Sequence, residues 1–458
     1  MMKGIGISQI VRSVYFAGAV LALVAVALSG RLAEKMPASY GLAARIPAKA
    51  YLNLPDHANG VFPRLLSQTG VFKNTPECIP NEALIPYDLI VPFWSDGAVK
   101  TRWVAVPDAT IKFSPGGEWA FPRGTVFVKM FDLPVDETNP SVTRRLETRL
   151  LVCDEAGGVY GLVYKWRADN SDADLLDAGL TEAVSVKTAG GSRTQMWVYP
   201  SRQDCLVCHT ANAGLVLGVK TRQLNRTFTY PSGVSDNELR AWNHIGLFDS
   251  KLNESNLIAY PTLARADDAS RSLEDRARSY LDVNCAGCHR PGGTVAYFDA
   301  RYDTPLIRQN LIDGPVLIDQ RIDNPRIVAP NDIWRSILFM RANTTEAFKM
   351  PQLAHNELDR ASMDLLRKWI ESLPGQPVLP PPVISPRGGT FSREVEVTLT
   401  SEPGATIRYT LNGTVPTKSD LLYEKPVLIK GPTFLRAKAF KPGFKKSITV
   451  QEIYIVGE

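Results

Sequence analysis

The feature that most constrains this chain of 458 residues is a short string, Cys-x-x-Cys-His, that occurs twice. The first copy is Cys205-Leu-Val-Cys208-His209, and the second is Cys285-Ala-Gly-Cys288-His289. At the start of a helix this spacing puts both thiols and the imidazole on one side of the first turn. Two thioether bonds could then hold a porphyrin edge while the imidazole binds the iron. Each copy therefore predicts a covalently attached haem c.

Two other kinds of site use closely spaced cysteines, and both fit less well. A structural zinc site takes four nitrogen or sulfur ligands. A thioredoxin-like redox motif needs no histidine after its second cysteine, and it is expected between a strand and a helix. We therefore expect two covalently attached haem c groups as the cofactors, with His209 and His289 each binding one iron.

The sixth ligand of the second iron decides whether that haem carries electrons or binds small molecules. Met350 is the candidate, since it follows His289 in the sequence and precedes the last amphipathic helix. A thioether ligand favours ferrous iron and raises the reduction potential. Met340 lies in an apolar run and is expected in the core, and His355 is expected in a solvated loop.

The first haem has two candidates for its sixth ligand. His244 lies on a helix whose neighbouring residues are apolar, so it could face the porphyrin or be an ordinary partly buried histidine. Met196, upstream of the first motif, is the competing ligand, and an open position is the third alternative. His57, beside Asp56, is expected at the surface.

Strand and helix patterns divide the chain. Runs rich in β-branched and aromatic residues predict strands at 125–131, 148–152 and 159–166. Capping signals predict helices that begin at Ser235 and Ser272. A last amphipathic helix is predicted from about residue 357 to 373, where Pro374 and Gly375 end it.

These patterns predict a multidomain α+β chain. Its parts are an N-terminal β-sandwich or barrel-like domain with the first haem, an all-α domain with the second, and a small C-terminal β-sandwich. The predicted boundaries are a leader at 1–30, a linker at 31–60, the β-rich domain at 61–255, the all-α domain at 256–374, a proline-rich linker at 375–382 and the C-terminal module at 383–458.

The N-terminus predicts export. Lys3 and Arg12 precede an apolar run that ends in small residues, which is typical of a cleaved signal peptide, with a retained membrane anchor as the alternative. We expect a periplasmic or otherwise exported protein. Outside the cytoplasm Cys78 and Cys153 could pair. The net charge of +5 is too small to indicate a nucleic-acid partner.

Two stretches of the chain resemble known families of cytochromes. Residues 277–373 resemble a class I cytochrome c domain, through Ala277-x-x-Tyr280, the second haem motif, Lys349-Met-Pro351 and Leu366-x-x-Trp369-Ile370. Residues 61–250 resemble a family of bacterial dihaem c-type cytochromes, through Phe93-Trp-Ser-Asp-Gly-Ala98, Arg145-Leu-Glu-Thr-Arg149, Tyr199-Pro-Ser-Arg202 and Gln223-Leu-Asn-Arg226. The first resemblance implies His289 and Met350 as an axial pair.

A third resemblance covers the C-terminal module. Residues 383–456 are similar to the chitobiase/β-hexosaminidase type of small β-sandwich, through Ala405-Thr-Ile-Arg-Tyr-Thr-Leu-Asn-Gly413 and Arg436-Ala-Lys-Ala-Phe440. Modules of this kind carry no catalytic residues that can be transferred to this chain. A spacer and a contact with a partner or with cell-surface polymer are both compatible with it.

Together these features predict an electron carrier rather than an enzyme that converts a substrate. The chain is expected to pass single electrons from a periplasmic dehydrogenase or another cytochrome to a respiratory acceptor. The first alternative is a dihaem peroxidase-like oxidoreductase with one open haem. The second is a cell-surface polymer-binding protein that carries redox haems.

Overall fold

A sheet of six strands forms the centre of the N-terminal half of the protein. The computed structural model describes residues 39–294 and 297–457, so the predicted leader at 1–30 lies outside the described residues. Ten strands precede the first haem motif in this part of the chain: β1 Phe72–Asn74, β2 Ile79–Pro80, β3 Leu84–Tyr87, β4 Val99–Ala105, β5 Val126–Pro134, β6 Thr143–Cys153, β7 Val159–Trp166, β8 Ala173–Leu175, β9 Leu180–Thr188 and β10 Gly191–Tyr199.

Strands β3 to β8 pair in chain order, each antiparallel to the next. Both faces of this sheet are largely buried, which explains why its strands β5 and β7 are mainly apolar. One face packs on Leu52, Leu66 and Val71, and the other packs on Leu239 and Trp242. The three predicted strands are confirmed. The prediction of a sandwich or barrel is wrong, because the sheet is open and is covered mainly by loops and short helices.

The hairpin of β9 and β10 packs against one end of this sheet. Val184 and Trp197 from the hairpin share a small buried cluster with Phe131 of β5. The hairpin ends at Tyr199, and the chain enters the first haem motif directly from it. The position of that motif is therefore tied to the sheet.

The two remaining cysteines lie on opposite faces of the sheet. Cys153 packs in the cluster that contains Trp242, whereas Cys78 packs against the cluster that contains Leu66. Both thiols are free. A sheet separates them, so a disulfide between them would require the strands to move apart.

Short helices and one small ladder follow the hairpin. Their bounds are α1 Arg202–Cys208, α2 Thr221–Leu224, β11 Thr227–Thr229, β12 Ser235–Asn237 and α3 Glu238–His244. The predicted start at Ser235 is wrong, because Ser235 pairs with Thr229 in the ladder. Asn237 caps α3 instead, and its side-chain oxygen accepts hydrogen bonds from the N–H groups of Leu239 and Arg240.

Residues 256–374 do not form the predicted all-α cytochrome c domain. The helices in this segment are α4 Leu273–Asn284, α5 Ile337–Ala342 and α6 Arg360–Ser372, with 12, 6 and 13 residues. Most of the segment is irregular chain, in which proline and glycine interrupt any longer helix. Among the residues that the structure describes, 29% are in strands and 16% in helices, so the α+β assignment is also wrong. The helix that begins after Ser272 is confirmed.

The last part of the chain is a β-sandwich. Its strands are β13 Val383–Ser385, β14 Gly389–Phe391, β15 Val395–Thr400, β16 Thr406–Thr410, β17 Leu421–Leu422, β18 Val427–Ile429, β19 Thr433–Phe440 and β20 Val450–Val456. A three-stranded sheet and a five-stranded sheet enclose a core that both supply. The predicted C-terminal sandwich is therefore confirmed.

The sandwich is attached to the middle segment by buried polar contacts. The Arg335 guanidinium donates hydrogen bonds of 3.0 Å to the carbonyl oxygens of Lys446 and Ser447. The Asp323 carboxylate forms an ion pair with Lys438. In the proline-rich connection Leu379 is fully buried, and its N–H donates to the Lys445 carbonyl. The connection is therefore packed against the sandwich.

No helix in the described part of the chain combines the length and the apolar character that crossing a bilayer requires.

Candidate functional site

The first Cys-x-x-Cys-His motif lies on helix α1, and a capping box fixes where that helix begins. The Ser201 hydroxyl accepts the main-chain N–H of Asp204 at 3.2 Å, and the Asp204 carboxylate accepts the Ser201 N–H at 2.8 Å. The helix ends at Cys208, so the two thiols stand about one turn apart. The N–H of His209 donates to the Cys205 carbonyl at 3.0 Å, which holds the histidine close to the last turn.

Helix α1 lies directly on strand β7 because that strand carries a glycine at the contact. A Cβ atom at position 161 would lie 2.6 Å from Cys205 Sγ and 2.9 Å from Cys205 Cβ. Only glycine lets the sulfur approach the sheet this closely. The sequence of β7 is therefore fitted to the position of the first cysteine.

A hydrogen bond fixes the tautomer of the His209 imidazole. Its Nδ1 lies 2.7 Å from the Leu215 carbonyl oxygen, which can only accept, so Nδ1 carries the proton. The second nitrogen, Nε2, is then left with its lone pair, as in metal-binding histidines that donate from the other nitrogen. Burial lowers the pKa of His209 to about 4, and the Leu215 bond only partly opposes this, so the ring is neutral at ordinary pH.

The second motif begins where helix α4 ends. Cys285 follows its last turn, and the N–H groups of Cys288 and His289 donate to the Cys285 carbonyl at 3.1 and 2.8 Å. Beside it is a largely apolar cavity of about 230 Å³, and its lining includes Cys285, His289, Phe298, Ile327, Leu338 and Met350. The His289 ring stacks on Phe298, with 4.3 Å between ring centres.

The structure brings Met350 into this same cavity, 61 residues away from His289 in the sequence. The N–H of Met350 donates to the Arg341 carbonyl at 2.9 Å, which fixes the residue at the cavity wall. Met340 is half-buried on α5. The expectation that His355 is solvated is wrong: it is fully buried, and its Nε2–H donates to the Ala342 carbonyl at 2.9 Å.

The two motifs meet each other. The thiols of Cys208 and Cys288 are hydrogen-bonded, which raises the pKa of Cys208 and lowers that of Cys288. Nearby, the Asn212 side chain donates to the Pro291 carbonyl at 3.0 Å, and the Arg290 guanidinium donates to the Asn212 carbonyl at 3.3 Å. The second cysteine of each motif therefore faces the other motif.

A buried ion-pair network holds the two motif-bearing segments together. Asp282 of α4 is fully buried and lies 2.8 Å from the Lys220 ammonium and 3.7 Å from the Arg222 guanidinium. Burial opposes ionisation of Asp282, but the attraction of Lys220 and Arg222 is stronger, so its pKa is lowered. Arg290, the residue after the second motif, pairs with Glu118 at 3.0 Å.

A second contact joins the sheet to the loop after Met350. The Asp96 carboxylate accepts the N–H groups of Asn356 and Glu357 at 2.6 and 2.9 Å. The Trp94 indole N–H donates to the Glu357 carbonyl at 2.8 Å, and the Trp94 main-chain N–H donates to Asn284 at 3.0 Å. These contacts help to place Met350 relative to the end of α4.

The two predicted candidates for a sixth iron ligand at the first motif both lie at the surface. His244 is exposed at the end of α3, and its ring stacks on Tyr40 with 3.5 Å between ring centres. Met196 is 44% exposed, on the outward-facing side of β10. Neither placement favours an axial ligand for His209, and the identity of that ligand stays a prediction.

Sequence reasoning missed a group of basic side chains on the sheet beside the first motif. Arg102, Lys129 and Arg149 lie on three neighbouring strands, at positions that face each other. Part of the signal was present, since Lys129 interrupts the mainly apolar strand β5. The register that aligns them across strands could not be read from the local pattern.

Within residues 39–294 and 297–457 no three or more histidine, cysteine and acidic side chains are grouped so that they could hold a metal ion.

Comparison with known families identifies the C-terminal module. Residues 386–451 match the family model described as the chitobiase/beta-hexosaminidase C-terminal domain. This segment is a domain of that type. It falls within the sandwich of β13 to β20, which confirms the resemblance stated for the module. No cytochrome c family model matches the chain. No curated protein matches it, and no solved structure does.

Proposed function

We propose that this protein is an exported c-type cytochrome that carries two covalently attached haems and passes single electrons between protein partners. The donor would be a periplasmic dehydrogenase or another cytochrome, and the acceptor a respiratory component. Export is supported by the charged and apolar pattern of residues 1–30.

The contact between Cys208 and Cys288 is the observation that carries this proposal. Each thiol belongs to a separate haem-attachment motif, and the two are hydrogen-bonded. If each motif holds a haem through its cysteines, the edges of the two haems would lie close together, which favours transfer of an electron between them. Two haem sites that work independently would not require contact between their cysteines.

The residues at each motif fit the group that the motif implies. At the first, Cys205 and Cys208 would form the thioether bonds. The Leu215 carbonyl accepts the Nδ1 proton of His209, so the other ring nitrogen, Nε2, would be free to bind the iron. At the second, Cys285, Cys288 and His289 would play the same parts. Haem iron supplies reversible one-electron chemistry between the ferrous and ferric states.

Met350 supports a carrier role for the second site. It lies on the wall of the cavity that His289 also lines, so His289 and Met350 would both be available to hold the iron. A largely apolar lining keeps water out and, with a thioether ligand, raises the reduction potential. Such a site favours electron transfer over binding of an outside ligand.

One observation supports the peroxidase-like alternative. The exposed positions of His244 and Met196 leave neither of them well placed to complete the coordination at the first motif. An iron there with one open position would bind peroxide or another small molecule, and the second haem would supply electrons. The alternative therefore concerns the first site only.

The C-terminal module supports a further alternative, that the protein also binds cell-surface polymer. The name of the matched family refers to enzymes that act on chitin-type sugars. Retention on chitin or peptidoglycan by the full chain, and its loss when residues 383–458 are removed, would support that role.

The decisive experiment is the mass of the full chain, produced in a host that matures c-type cytochromes and then unfolded in acidic solvent. We expect the mass of two haems above that of the processed chain. The double variant Cys205→Ala with Cys208→Ala should retain one haem, and so should Cys285→Ala with Cys288→Ala. A mass equal to the bare chain would contradict the proposal.

Spectra of the same protein separate the carrier from the peroxidase-like alternative. Two low-spin haems, one with a methionine-to-iron charge-transfer band, are expected for the carrier. A high-spin signal from one haem, together with turnover of peroxide, would favour the open site.

A further inference from the structure

A row of positive side chains crosses the central sheet on the face that also carries Gly161. In the antiparallel ladder Arg102 lies opposite Lys129, Lys129 lies opposite Arg149, and Arg149 lies opposite Val163. Residues directly opposite each other point to the same face, and like charges in such pairs are destabilising. Something other than the sheet itself must therefore account for three cations in one row.

Carboxylates in the described residues balance this row only in part. Arg149 is paired with Glu147 at 2.6 Å, and Arg102 is paired with Asp88 at 2.6 Å. No carboxylate in the described residues lies within ion-pair distance of the Lys129 ammonium, whose nearest aromatic neighbour is the Phe131 ring at 5.3 Å.

Two further charged groups lie close to the row. The Lys100 ammonium donates to the Phe93 carbonyl at 2.8 Å and forms no ion pair with a carboxylate in the described residues. The nearby Asp96 carboxylate already accepts the N–H groups of Asn356 and Glu357. The group therefore carries more positive than negative charge.

The cations face the same space as the first haem motif. The charges of Lys129 and Arg149 act on both Cys205 and His209. The Arg149 side chain is 23% exposed. Burial lowers the pKa of Lys129 to about 7, with the charge of Arg149 adding to the effect, so a bound anion would favour the protonated ammonium.

The spacing of the row from the motif suits a flat, broad ligand. Gly161, beneath Cys205, is two strands across from Lys129 and two residues along the ladder. Strand spacing and rise give a separation of about 12 Å between these two positions. A porphyrin held by thioether bonds at one edge carries its two carboxylates at the opposite edge, across the macrocycle.

We propose that Lys129 and Arg149, with Lys100 beside them, bind the propionate carboxylates of the haem attached at Cys205 and Cys208. This inference rests on the proposed function. It adds a consequence, because positive charge near the iron favours its ferrous state and raises the reduction potential of the first haem.

The test is a spectroscopic redox titration of the full-length holoprotein with Lys129→Met. Lys129 is the residue to change because its removal leaves no carboxylate without a partner. One of the two midpoint potentials should fall, and the other should stay where it is. A unit charge at about 10 Å changes the equilibrium constant by roughly tenfold, which is about 59 mV for a one-electron couple.

Lys129→Arg is the matched control, since it keeps the charge but removes the amine. It should leave both potentials and both haem spectra close to those of the parent protein. If Lys129→Met binds two haems and moves neither potential, the inference is wrong. It is also wrong if Lys129→Arg abolishes a low-spin spectrum, because the amine would then be an iron ligand.

The mass of each variant separates these failures from failure of the proposed function. Two covalent haems with unmoved potentials overturn the inference alone. No covalent haem in the parent protein overturns the proposed function, and the inference with it.

Discussion

Gly161 and Cys205 approach so closely that a single methyl group on the glycine would lie 2.6 Å from the cysteine sulfur. We expect Gly161→Ala to push α1 off the sheet and to destabilise the protein by about 1–3 kcal/mol, the usual cost of overpacking. Chemical denaturation would measure this. Gly190→Ala is the control, because nothing lies within 4 Å of a Cβ atom there. Equal stability of the two variants would contradict the close contact.

Met350 gives a prediction for the second site. Met350→Leu keeps the volume of the side chain but removes the thioether, so it should abolish a methionine-to-iron charge-transfer band and lower one reduction potential. Met340→Leu, a matched change on α5, should leave the band intact. Loss of the band in the Met340 variant alone would mean that the wrong methionine had been chosen.

Asp282 gives a prediction for stability. Asp282→Asn leaves Lys220 and Arg222 buried without their carboxylate, and breaking one partner of a buried ion pair costs about 3–5 kcal/mol. The exposed pair of Arg265 and Asp267 provides the control, since Asp267→Asn should cost less than about 1 kcal/mol. Urea unfolding would compare the two. Similar small losses would show that the network contributes little.

The same carboxyl group predicts how stability depends on pH. The pKa of Asp282 in the folded protein is below its usual value of 3.8, so the folded state binds fewer protons than the unfolded state in that range. Its contribution is present above about pH 4 and is lost as the pH falls towards the lowered pKa. Asp282→Asn should therefore reduce the loss of stability in acid. An unchanged acid profile would contradict this assignment.

Asp323 gives a prediction for the C-terminal domain. Its carboxylate pairs with Lys438 and accepts the N–H of Thr449 at 3.1 Å. Asp323→Asn should loosen the domain and make proteolysis near residues 375–382 several-fold faster. Asp313→Asn, an exposed change in the same segment, should leave the cleavage rate unaltered. If both variants are cut alike, the contact does not hold the domain in place.

Local patterns predicted the elements better than they predicted the architecture. The strand at 159–166 was readable because its β-branched and aromatic residues favour a buried strand whatever it packs against. The start of α3 was misplaced because Ser235 and Asn237 both suit a helix cap, and pairing with Thr229 decides between them. Whether a sheet closes into a barrel depends on contacts between strands that are far apart in the sequence. The local pattern of residues therefore could not distinguish the predicted barrel from an open sheet.

In the candidate site, too, local patterns predicted some features and could not show others. The cysteines and histidines were readable because their spacing is itself the signal, and Met350 does line the cavity with His289. The role of His244 stays a prediction: the apolar residues of its helix lie on a buried face, and its own ring is exposed and stacks on Tyr40. The basic row was missed because the sequence of one strand does not show which residues lie opposite it. A lysine next to an apolar cross-strand neighbour and a lysine next to a charged one give the same local pattern.

The meeting of Cys208 and Cys288 also limits the order in which the mature protein can be assembled. Two thiols that touch in an oxidising compartment can be joined to each other, and each would then be lost as a site for attachment. Under the proposed function, the haems would have to be attached while the two motif-bearing segments are still apart. A chain that folded before haem attachment could form a disulfide between Cys208 and Cys288 and would then lack haem.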